Sequence, residues 1–253
     1  MDTRIFTAIG LDFETGGLDC TRHACTQIAL QAIRLDTLET TDRYTVYIAP
    51  YDKQEISRSK RKVLKPRWEL QLEFTGSERM EYEQKALDYS GITMEMLSRQ
   101  GINIRGAAQE IIAFAVRNTF NTSARYKPFL IGQNIAFDIG FLQQLMNYAG
   151  LVGEFEKTFA GTKDFYGNFQ PSYLDTVQLA KLAFAHDASL ASYKLELVAA
   201  HLGIDLADAH DAEADISATM DIVRMLSGKM RSGQSSDEAV IRQKENLRTY
   251  FKI

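Results

Sequence analysis

Apolar positions along the chain fall into two rhythms. Early segments are nearly continuous or alternate, as strands do, and later ones repeat every three to four residues, as helices do. Residues 4–14 read as a buried strand closed by Gly16-Gly17. CTQIALQAIRL (25–35) and RYTVYIAP (43–50) read as two more, which predicts an antiparallel meander. RWELQLEF (67–74) alternates weakly and suggests an extra strand. Helical spacing is expected near 82–90, 93–100 and 106–120. PFLIGQN (128–134) is then a short buried strand feeding a helix from Ile135 to Tyr148. YLDTVQLAKLAFA reads as a strand end entering a helix, with Asp175 as N-cap, and KLELVAAHLG as a helix closed by Gly203. A long helix is predicted from Asp211 to Ser227.

Clustered strands followed by helix-separated ones predict an α/β fold, a mixed sheet flanked by helices. This body spans residues 1–227, with an insertion at about 51–80. Residues 228–253 read as a polar linker and one final helix, where Ser235 and Glu238 have capping-box spacing. Its narrow stripe of Val240, Leu247 and Phe251 is enough to dock on the body or on a protein partner such as a polymerase.

Composition narrows the class without naming a chemistry. With 253 residues, 45% hydrophobic and 25% charged, the chain can bury a sizeable core. No apolar run is long enough to cross a membrane, which sets membrane partners aside. The opening MDTRIFTAIGLDF lacks the layout of a signal peptide, and Cys20 and Cys25 form no disulfide framework or zinc spacing, so a cytoplasmic location is expected. The net charge is −4, yet Lys53, Arg58, Lys60, Arg61, Lys62, Lys65 and Arg67 face only Glu55 between positions 53 and 67. That segment carries +6 and leaves −10 on the rest. A basic arm on an acidic body suits a protein that grips a polyanion and holds cations; a solvated hairpin suits the composition equally.

Four acids sit where apolar residues belong. Asp12 and Glu14 end the first strand on one face, about 6–7 Å apart, and would repel each other unless a cation lay between them. Asp138 shares the inward helical stripe of Phe141, Leu142 and Leu145, and Asp215 that of Ala218, Thr219, Ile222 and Leu226. A buried acid is costly unless paired or bound to metal. A pair of divalent cations about 3.5–4 Å apart accounts for all four, and such a pair can activate water and stabilise a phosphodiester's leaving oxygen. Hard carboxylate oxygens suit Mg²⁺ or Mn²⁺. His210 can share this site only from a loop preceding the last helix, with Asp208 or Asp211 as cap, and could then take a proton at neutral pH. Glu213 is a weaker candidate. Asp221, aligned with Arg224, reads as a solvated acid, and His23, His186 and His201 as structural or exposed.

LDFETGG, IGQNIAFDIGFL and AHDAEADISATMDI resemble the three motifs of DEDD superfamily exonucleases, in the branch with a histidine five residues before the last aspartate. QKALDYSGITMEML and YKLELVAAHLGID resemble the intervening segments, so the likeness covers residues 5–227. The resemblance implies a ribonuclease H-like fold and 3′-to-5′ release of nucleoside 5′-monophosphates from a single-stranded end, with DNA the first choice and RNA trimming the alternative. It implies Asp12, Glu14, Asp138 and Asp215 as metal ligands and His210 as general base. It further implies that Thr15 and Gly16 approach the terminal nucleotide through backbone groups and that Leu18 packs on its base. Asn134 fits the second motif, though an N-cap role would explain it as well. Phe141 could stack on substrate, or simply be core. A non-catalytic binding module would lack a ligand or the histidine, and all five positions are filled.

Overall fold

Strand β1 (Thr7–Thr15) runs through the middle of the molecule, because both of its faces are apolar for most of its length. Ile9, Leu11 and Phe13 face one core; Ala8 faces the other. The computed structural model describes residues 5–54, 78–121, 123–206 and 211–231. The predicted strand at 67–74, six of the seven basic residues (all but Lys53), Asp208, His210 and the terminal helix with Ser235 and Glu238 lie outside the described residues.

Strand β2 (Cys25–Arg34) and β3 (Thr40–Tyr47) continue the expected antiparallel meander. Strand β3 starts three residues before its predicted position, because the turn after Arg34 is short and places Leu38 in the left-handed region at φ 63°. Helices α1 (Gln84–Ser90), α2 (Met94–Gln100) and α3 (Ile104–Arg117) follow. Thr93 caps α2 by accepting from Met96 N–H, and Asn103 caps α3 by accepting from Gly106 N–H.

Strand β4 (Phe129–Gly132) pairs parallel to β1 and feeds α4 (Ala136–Ala149). A short helix, α5 (Val152–Thr158), and a hairpin of β5 (Gly161–Lys163) and β6 (Phe169–Pro171) come next, where the sequence patterns predicted nothing. Strand β7 (Tyr173–Asp175) joins β4 in parallel and passes directly into α6 (Thr176–Ala183), capped by Asp175 as expected. Helices α7 (Leu195–Leu202) and α8 (Ala212–Arg231) complete the described fold.

The sheet order is β3-β2-β1-β4-β7, mixed in direction as anticipated. Helices α3, α4 and α5 cover one face around Phe114, Phe141, Leu145 and Phe155. Helices α6, α7 and α8 cover the other around Leu179, Val198, Ile216 and Met220. Gly10 of β1 faces α8 so closely that a Cβ there would lie 2.8 Å from Ile216 Cδ1. Helix α8 runs past the predicted stop at Ser227, since Gly228 has open space around it and is a tolerated helix residue rather than a terminator.

Candidate active site

Three of the four misplaced acids meet at the C-terminal end of β1. One carboxylate oxygen from each of Asp12, Glu14 and Asp215 lies within 4.8 Å of the others. Each residue has a structural reason to be there. Strand alternation turns Gly10, Asp12 and Glu14 toward α8, and the small Gly10 lets that helix approach. Asp211 accepts from Ala214 N–H at 3.2 Å and so caps α8, which sets Asp215 in the helix's first turn. The inward stripe predicted for Asp215 is observed, with Ala218, Thr219, Ile222 and Leu226 all buried.

Asp138 arrives from the opposite face. It is 3% exposed, and one oxygen accepts from Phe13 N–H at 3.0 Å. This donor is available because the β1–β4 pairing stops at Gly10, and the carboxylate takes a place that a neighbouring strand would otherwise fill. Asp138 therefore sits beside Asp12 and is bound to the intervening residue's backbone, though it stands outside the tight group of three.

The electrostatics are those of crowded like charges. Burial first, then Asp215 and Asp211, push Asp12 up to about 7. Burial first, then Asp12, Asp215 and Asp211, push Glu14 up to about 8. Burial, with Asp12 next, also holds Asp138 well above the carboxylate range. A divalent cation would relieve this repulsion, and an all-carboxylate oxygen donor set fits a hard ion. The residues present therefore fit the expected metal.

The substrate-side candidates are placed unevenly. Leu18, 84% exposed, stands just past β1 with its side chain free to meet a ligand. Thr15 is buried and its hydroxyl donates to Gly17 C=O at 2.8 Å. The backbone groups of Gly16 have partners within the chain. Its N–H already donates to Ala24 C=O (2.8 Å), and its C=O accepts from Glu83 N–H (2.7 Å). Glycine also fits there for packing, since a Cβ would lie 2.8 Å from Glu81 C=O. Phe141 needs correction as a stacking residue: it is fully buried against Phe137 (ring centroids 5.0 Å apart) and serves the core, the other role its position allowed. Asn134 is not the cap of α4. It occupies a left-handed turn (φ 53°), and its N–H donates to Asp175 Oδ1 at 3.1 Å. Glu213 is exposed, with Thr45 Oγ1 donating to it at 3.4 Å, and Asp221 pairs with Arg224 as expected. His23 proves structural: it is buried, with Nε2 3.0 Å from Glu83.

Two residues near the acids escaped the sequence reading. Gln27 is buried on β2 directly across from Glu14, and its amide donates to Asp211 Oδ1 at 3.3 Å, which ties the start of α8 to the sheet. The signal was present: Gln27 and Gln31 are polar positions four apart, framing the apolar run Ile28–Leu30. Tyr89, 64% exposed on α1, has its phenol raised by desolvation and then by the charges of Glu196, Asp215 and Glu14.

With this geometry in view, the comparisons with known proteins are consistent. A sequence model of the exonuclease family RNase_T matches residues 76–223. The PolC-type DNA polymerase III of Clostridium perfringens (strain 13 / Type A) is 31% identical over 102 residues, covering 40% of this chain and 6% of that protein. Among solved structures, the zinc-bound complex of E. coli exonuclease I with single-stranded DNA superposes with a TM-score of 0.61 at 19% identity, covering 88% of this chain and 41% of that one. The same E. coli enzyme with a dT13 oligonucleotide gives 0.57 at 20% identity, over 87% of this chain and 41% of that one. At such identity the likeness is one of fold, and the chain spans less than half the length of those proteins.

Proposed function

Because the chain belongs to the exonuclease family, within the DEDD superfamily of 3′-5′ exonucleases, we propose that it removes nucleotides from the 3′ end of single-stranded DNA as nucleoside 5′-monophosphates. The observation that carries this reading is the convergence of Asp12, Glu14 and Asp215 within 4.8 Å, with Asp138 behind them. The choice of DNA rests on the single-stranded DNA held by E. coli exonuclease I and on the DNA polymerase relative.

Bound divalent cations, two Mg²⁺ or Mn²⁺ in this reading, would supply Lewis-acid stabilisation of charge on the scissile phosphate. Asp12, Glu14 and Asp215 would hold them, and Asp138 would complete the set while the Phe13 N–H fixes its rotamer. The carboxylates would then be ionised at neutral pH, since the cation's charge would offset the burial and the mutual repulsion that raise Asp12 and Glu14. His210, one residue before the Asp211 cap, would accept the proton of the attacking water at an imidazole nitrogen. Leu18 would pack on the terminal base and orient the phosphodiester.

The test uses 5′-labelled single-stranded DNA and RNA of equal length, each with Mg²⁺ and with EDTA. Mg²⁺-dependent shortening from the 3′ end, with DNA at least as fast as RNA, supports the proposal. Asp215→Asn should lower turnover by at least about two orders of magnitude. A preference for RNA above about tenfold would move the assignment to RNA trimming, as sensing a 2′-hydroxyl takes only one or two contacts. An uncut substrate in Mg²⁺ and Mn²⁺ would end the enzymatic reading.

A further inference from the structure

Leu18 poses a problem of its own. A large apolar side chain that is 84% exposed has little packing to orient it, so its aim depends on the loop Gly16–Ala24 that carries it. From one side the segment leading into α1 holds that loop: Glu83 N–H donates to Gly16 C=O, Ala24 N–H to Glu81 C=O, and Glu81 N–H to Arg22 C=O. From the other side it rests on α4. There Gln144, a polar residue only 5% exposed, donates its amide to His23 C=O (2.9 Å) and to Cys20 C=O. Its Oε1 accepts from Tyr51 hydroxyl (2.7 Å), and that hydroxyl accepts from Cys25 N–H (2.7 Å).

Every hydrogen-bonding group of the Gln144 amide is thus satisfied within a partly buried network reaching three backbone groups of one loop and its exit. Asp138 lies six residues earlier on the same helix, about 9 Å along its axis. One rigid element therefore references both the acidic site and the loop. The geometry points to Gln144 as a positioning residue: through Cys20, His23 and Tyr51 it fixes where Leu18 stands relative to the acids, and so sets the grip on the 3′-terminal nucleotide. This rests on the exonuclease reading above. A merely stabilising Gln144 would change the amount of folded protein, whereas a positioning one changes substrate affinity.

The experiment measures Kd for a fluorescent single-stranded oligodeoxynucleotide with a free 3′ end in Ca²⁺, and kcat and KM in Mg²⁺. Gln144→Met keeps the length and removes the amide. Kd and KM should rise about tenfold with kcat within about twofold, and the Mg²⁺-induced rise in Tm should be unchanged. In a Leu18→Ala background the same substitution should alter Kd by less than about twofold, because the two residues act through one contact. Unchanged Kd, a fall in kcat at constant KM, or additivity with Leu18→Ala would overturn the inference. If Gln144→Met does not fold, Tyr51→Phe carries the same expectations in the same assays. A parent chain that binds the oligonucleotide without shortening it would sink the exonuclease reading and leave the positioning role of Gln144 to be decided by Kd alone. A parent chain that binds none would overturn both.

Discussion

Asp12 and Glu14 stand in a strand that carries no other charge, and their own charge cuts against the fold unless something neutralises it. Their ordinary values, 3.8 and 4.5, are raised to about 7 and about 8, so the metal-free native state binds more protons than the unfolded chain between roughly pH 4 and 8. Stability therefore falls as pH rises through that window, the reverse of the usual carboxylate case. In EDTA, Tm should be higher near pH 5 than near pH 8, and added Mg²⁺ should raise Tm most at the alkaline end. Asp12→Asn makes the argument sharper. Removing one of the crowded charges should raise the Tm of the metal-free protein at pH 8 by about 2–4 °C per kcal/mol relieved, while abolishing turnover. A lower Tm for this variant in EDTA at pH 8 would show that the acids are compensated within the fold. That these acids mattered was legible from their company in the sequence alone. That Asp138 would bond to Phe13 N–H was not, since the donor becomes available only where β1 outruns β4.

At the scale of elements, the sequence spoke clearly where one residue type has one geometric use. Asp175 was readable as a cap because it follows a short apolar strand and precedes a helical repeat. Its second duty, accepting from Asn134 N–H at 3.1 Å while capping Val177 N–H at 2.9 Å, depends on β4 and β7 lying side by side, which no local pattern encodes. Loss of both contacts in Asp175→Ala should cost about 1–2 kcal/mol, a fall in Tm of roughly 2–8 °C, readable by thermal melts. An unchanged Tm would mean that solvent replaces the carboxylate without penalty. Helix α5 and the β5–β6 hairpin were missed for a related reason. Strands of three residues are too short to show a period, and the hairpin is organised by Asp164, which accepts from the N–H groups of Tyr166 and Asn168, both at 2.9 Å. Phe155 and Phe169 then tie it to the core edge to face, with ring centroids 5.2 Å apart.

For the whole molecule, the arrangement of charge matters more than its total. The acidic site lies at one end of the sheet, and the segment with the basic residues departs and returns beside it. Lys53 N–H donates to Glu78 C=O at 2.7 Å, and Met80 N–H donates to Tyr51 C=O at 3.2 Å, closing a stem. Lys53 Nζ reaches Glu78 (3.3 Å) and Glu81 (3.6 Å), and Glu81 also pairs with Arg22 in the loop that carries Leu18. The segment carrying +6 thus begins at Lys53, which is tied through Glu81 to the loop of Leu18, and the rest of the chain carries −10. If the arm tracks the phosphates of a single strand, each contact releases counterions and contributes about 0.7 to the slope of log K against log salt. Replacing Arg58, Lys60 and Arg61 with Gln should weaken oligonucleotide binding at low salt and flatten that slope by about 2, with kcat at saturating substrate little changed. The acids and His210 would be untouched, so a loss of kcat instead would place the arm in the chemistry. A variant that matches the parent's affinity at each of two salt concentrations would return these residues to a solvated surface, leaving the substrate to be held by other groups.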